Sequence, residues 1–65
     1  MAKQPYKLAE DRSDELVVTT EFFIDAPDGR MSLRMPNFIA RKEQERLAAV
    51  VVAALNVDAR YRGKQ

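Results

Sequence analysis

The chain has no cysteine and no histidine. The first absence excludes disulfides and thiolate metal sites. The second removes the commonest metal ligand and the usual general base near neutral pH. Glycine occurs only at positions 29 and 63, too few for a phosphate loop or a dinucleotide-binding fingerprint. The serines and threonines have no imidazole to activate them. Asp25 and Asp28 are close carboxylates beside a turn, but a hairpin tip offers neither the burial nor the positioned partner that tunes a catalytic pKa. Neither enzymatic activity nor a cofactor or metal is expected.

Long hydrophobic runs are also missing. Leu47 to Leu55 is the longest stretch without a polar side chain, and it falls far short of the roughly 20 residues a membrane helix needs. The N-terminal lysines are not followed by the apolar segment of a secretory signal. A soluble, cytoplasmic protein is expected, and the lack of cysteine suits a reducing compartment.

Sixty-five residues make one domain at most, and a domain of this size buries only roughly 60% of its unfolded surface. Such small folds usually need a staple. With disulfides and the usual metal ligands excluded, a homodimer or higher homo-oligomer is the expected one. Net charge is +1, but residues 1–30 carry four basic and seven acidic side chains, and residues 31–65 seven basic and three acidic. The chain is dipolar, with an acidic first half and a basic second half.

Residues 1–14 are polar with no sustained period and read as an arm, ordered only where Tyr6 and Leu8 dock. Glu15 to Ala26 is rich in β-branched and aromatic residues and reads as a strand. Its more apolar face holds Leu16, Val18, Thr20, Phe22, Ile24 and Ala26. Pro27-Asp28-Gly29-Arg30 carries turn chemistry, and Met31 to Met35 follows as a second strand. Opposing Ala26 to Met31, Ile24 to Leu33 and Phe22 to Met35 makes one hairpin face wholly apolar, which selects that register. Pro36 ends the strand and Asn37 suits a helix N-cap. A helix is expected from about Phe38 to Leu55, with Asn56 as its stop and residues 57–65 as a basic tail. The predicted fold is α+β: a ββα domain over 15–56, completed by dimerisation.

At 100° per residue, Ile39, Ala40, Leu47, Val50, Val51 and Ala54 share the side assigned to the hairpin. Ala48, Ala49, Val52 and Ala53 are left without a partner in the chain and form the expected dimer interface. On the hairpin's second face, Phe23 stands among charges with Val17, Glu21 and Arg34. That pattern of apolar anchor and polar rim marks these four as the candidate partner-binding residues.

The leading expectation is a small non-catalytic protein-binding module, of the kind phages and mobile elements carry to modulate or inhibit a host protein. The alternative is a nucleic-acid-binding or transcription-regulatory protein. It would use Arg41, Lys42 and Arg46 on the helix and Arg60, Tyr61, Arg62 and Lys64 in the tail to neutralise phosphates and stack on a base.

Overall fold

The computed structural model describes residues 4–63; Lys64 of the basic tail lies outside them. Three antiparallel strands, β1 (Lys7–Asp14), β2 (Thr19–Ala26) and β3 (Gly29–Pro36), form a sheet in the order β1-β2-β3, followed by one helix, α1 (Arg41–Gly63). The arrangement is α+β, with one strand more than the hairpin expected from the sequence. No helix of the described residues is long and apolar enough to cross a membrane.

β2 is the central strand because its side chains suit both neighbours. Thr20, Phe22 and Ile24 point inward and are buried, while Thr19, Glu21 and Phe23 point outward and are half-buried. The alternation follows the two-residue strand period. The hairpin with β3 preserves the expected faces but slides by two residues: Ala26 opposes Gly29, Ile24 opposes Met31 and Phe22 opposes Leu33. The turn is Pro27-Asp28, shorter than the Pro27-to-Arg30 stretch that the expected register leaves between the strands. Gly29 takes φ +147° immediately after it, a conformation that side-chain-bearing residues avoid.

Lys7–Asp14 is a strand, not an arm. Its composition gives little strand propensity. Pairing with β2 supplies its backbone hydrogen bonds, and its exposed charged side chains suit an edge. The register shifts between Leu8 and Glu10, leaving Ala9 as a bulge.

α1 is 23 residues long, starting and ending later than expected. Asn37 does not cap it. Its Oδ1 accepts a hydrogen bond from the buried Thr20 hydroxyl at 2.8 Å, and its N–H donates to the Val18 carbonyl at 3.0 Å. This holds residues 37–40 in a loop, and the first helical bond runs from the Gln44 N–H to the Ala40 carbonyl. Asn56 does not stop the helix either. Its carboxamide accepts from the Tyr6 N–H at 2.9 Å and donates to the Tyr6 carbonyl at 3.0 Å. A side chain here pairs with backbone much as a neighbouring strand would.

The helix face that meets the sheet matches the expected one only in part: Ile39 and Leu47 pack on the core as expected, but the face is rotated toward Ala48. Ala48 has no exposure and sits in the core with Phe22, which is 1% exposed, and Met35. Leu33, Ile39 and Leu47 pack around them. Val50 and Ala54, assigned to the hairpin, are exposed; Val51 and Val52 are half-buried. The stretch is apolar on two sides, so its periodicity does not orient it. Two amides do. Gln44, also buried, donates to the Pro36 carbonyl at 3.1 Å, and Asn56 holds Tyr6. A small residue at 48 lets the helix approach the Phe22 ring closely.

Replacing Asn56 with Ala leaves two backbone groups of Tyr6 unpaired. It should cost about 1–3 kcal/mol in urea denaturation and speed amide exchange at the start of β1. Unchanged stability and exchange would show that the carboxamide does not hold the strand.

Candidate protein-docking surfaces

The β1–β2 loop, Glu15 to Val18, projects from one end of the sheet. Asp14 Oδ1 accepts the Leu16 N–H at 3.0 Å and starts the turn. Val18 ends it at φ +53°. A β-branched residue in that left-handed region is a genuine outlier. Its carbonyl accepts the Asn37 N–H, which ties this loop to the β3–α1 loop carrying Phe38. The two tied loops carry exposed apolar side chains: Leu16 is 94% exposed, Phe38 is 87% exposed, and Val17 and Val18 are exposed as well. Leu16 and Val18, expected on a strand's apolar face, lie instead in this loop, and Phe38, expected to begin the helix, lies in the loop before it. The turn residues Ser13-Asp14 ahead of the loop were the available signal.

The outer sheet face holds three of the four predicted partner-binding residues. Glu21, Phe23 and Arg34 lie on it; Val17 does not, since it belongs to the loop. Phe23 is not an open anchor. Arg12 and Arg30 lie over its ring, 5.7 and 5.8 Å from the centroid. Arg30 also pairs with Asp25 at 3.0 Å and Glu10 at 3.2 Å, and Arg34 pairs with Glu21 at 3.6 Å. The face is a lattice of compensated charge around a half-covered ring.

The predicted dimer set splits. Ala48 lies in the chain's own core and is not available to a second copy. Val52 is half-buried, and Ala49 and Ala53 are exposed. Together with Val57 and Leu8, the last three border a shallow apolar groove of about 370 Å³ between the start of β1 and the second half of α1, with Gln4, Asn56 and Arg60 at its edges.

The predicted nucleic-acid residues do not form one basic face. Arg41 turns toward the sheet. Its guanidinium lies 2.6 Å from Asp11 and 2.9 Å from Glu45, and 5.7 Å from the Phe22 ring centroid, as a lid on the core. Arg46 pairs with Glu43 at 2.6 Å, and Arg62 with Asp58 at 3.1 Å. Lys42, Arg60 and Tyr61 are exposed on α1.

The Arg46 guanidinium, bonded to both Glu43 oxygens at 2.8 and 2.6 Å, holds that carboxyl below the usual carboxylate range. The pair's stabilisation is present above the ordinary Glu pKa and lost as pH falls through the lowered one. Both side chains are largely exposed, so salt screens it. Arg46→Gln should return Glu43 to the ordinary range in a carboxyl NMR titration; an unchanged midpoint would show that the pair does not persist in solution.

Comparison with known proteins finds no match: no family model, no curated protein and no solved structure.

Proposed function

We propose that this chain is a small non-catalytic protein-binding module that docks another polypeptide through the apolar end of its sheet. One observation carries the reading. Leu16, Val17, Val18 and Phe38 stand exposed in two loops that a backbone hydrogen bond ties together, with Val18 in a strained conformation. Exposed single apolar residues need no explanation, but four of them in two loops tied together at one end of the sheet support an interaction site. Strain in a surface turn points the same way, since glycine is easier there and natural proteins hold strained backbone mainly at functional positions. Modulation of a larger protein, including its inhibition, is the activity open to such a module.

The nucleic-acid reading has less support. Arg41, Arg46 and Arg62 are each engaged by a carboxylate of the same chain, so binding phosphate means displacing or sharing those partners.

Three substitutions test the proposal. A photo-crosslinker at Phe38 in the native cell should trap a discrete protein partner, and one at Lys42 should not. Val18→Gly should relieve the turn and gain up to about 1 kcal/mol in denaturant unfolding, while weakening capture at Phe38. Loss of stability in Val18→Gly, or equal labelling from both positions, would overturn the reading.

A further inference from the structure

The edge of β1 carries a charge order that fits its own reverse. Lys7 opposes Asp25 and Glu10 opposes Phe23 on β2, so the Ala9 bulge brings Lys7 and Glu10 to the same outer face. Arg12 and Asp14 continue that face. Read along the strand, the outer side chains are basic, acidic, basic, acidic. Two such strands laid antiparallel about a two-fold axis at Asp11 place Lys7 opposite Asp14 of the second copy and Glu10 opposite Arg12 of the second copy. Every cross-strand outer pair then joins opposite charges, with Glu10 shared between Arg12 of the second copy and Arg30 of its own chain, which favours pairing. The other edge does not. On β3 the outer residues Arg30, Ser32 and Arg34 offer no opposite charge to one another in an antiparallel self-pair about Ser32, and both arginines already have carboxylate partners in their own chain.

The same register has a second consequence. With Asp14 of one copy beside Lys7 of the other, the loop that follows Asp14 reaches the chain that precedes Lys7. Leu16 then lies alongside residues 4–6, where the apolar groove bordered by Leu8, Ala49, Ala53 and Val57 opens. The most exposed large apolar side chain in the loop meets the groove between β1 and α1, and the two-fold repeats the contact. Asp11, at the axis, faces its own copy but is neutralised by Arg41 at 2.6 Å.

We infer that the occupant of this edge is a second copy of the chain, joined β1 to β1 in a continuous six-stranded sheet, with each Leu16 seated in the other copy's groove. Two-fold dimers are the commonest closed assemblies, and adding a strand to an open edge is a standard recognition mode. The inference rests on the reading of the apolar end as a docking surface. It assigns Leu16 to the second copy and leaves Phe38 for a different protein.

Sedimentation equilibrium on the full chain tests it, with circular dichroism confirming that each variant folds. The wild type should dimerise. Leu16→Ser removes two apolar contacts per dimer and should raise the dissociation constant on the order of 100-fold. Arg12→Glu places like charges opposite each other twice and should also dissociate the dimer; adding Glu10→Arg restores opposite charges and should recover it. A wild type that stays monomeric up to millimolar concentration overturns the inference, as does a dimer indifferent to Leu16→Ser and Arg12→Glu or one that the double substitution fails to rescue. Crosslinking from Phe38 is read separately, so the docking reading survives or fails on its own result.

Discussion

Two carboxamides set the rotation of the helix, and nearly everything else about the molecule follows from that rotation. Gln44 donates to the Pro36 carbonyl where β3 ends. Asn56, three turns on, pairs with both backbone groups of Tyr6 where β1 begins. A helix with apolar residues on two sides has no unique way to lie on a sheet by hydrophobic burial alone, because burial is not directional. Buried hydrogen bonds are directional, and leaving their partners unpaired is costly. The amides therefore select the face with Ala48 at its centre and turn Ala49, Val50, Ala53, Ala54 and Val57 away from the core.

The same interactions account for the third strand. Lys7–Asp14 lacks the β-branched and aromatic residues that make a strand self-evident. It is ordered by its ladder to β2, by Asn56 at its start and by the Arg41–Asp11 pair in its second half. Arg41 closes the core over Phe22 at the same time. A residue that reads as part of a basic helix face is thus a strut between helix, strand and aromatic core.

What was legible in the residues was local. The alternation of Thr20, Phe22 and Ile24 with Glu21 and Phe23 identifies the central strand and its two faces, because strand period is a property of the segment itself. The turn region is legible too, but the register slid by two, since Pro27-Asp28 and Asp28-Gly29 both suit a tight turn and both keep the apolar faces together. The strand at Lys7–Asp14, the roles of Asn37 and Asn56, and the burial of Ala48 were not legible, because each depends on a partner distant in the chain. A polar amide within an otherwise apolar helix face was the one usable clue: Gln44 and Asn56 both fall on the side that meets the sheet. Of the predicted partner-binding residues, Val17 belongs to the exposed loop group, whereas Phe23 is flanked by its own arginines. Those flanking charges were visible in the composition, but their closeness to the ring needed the register.

The exposed surfaces follow from this frame. The loops carrying Leu16, Val18 and Phe38 are joined at one end of the sheet by a hydrogen bond from Asn37, and the groove at the other end of β1 exists because the helix is rotated to leave Ala49 and Ala53 outward. If the helix lay as periodicity alone suggests, Val50 and Ala54 would turn into the core and Ala48 would turn out of it. The absence of native cysteine makes that rotation directly measurable by thiol labelling of single-cysteine variants. Ala48→Cys should resist labelling under native conditions and Ala54→Cys should react at nearly the rate of an unfolded thiol. Rapid labelling at 48 with protection at 54 would contradict the account, because it would place a different face of the helix against the sheet.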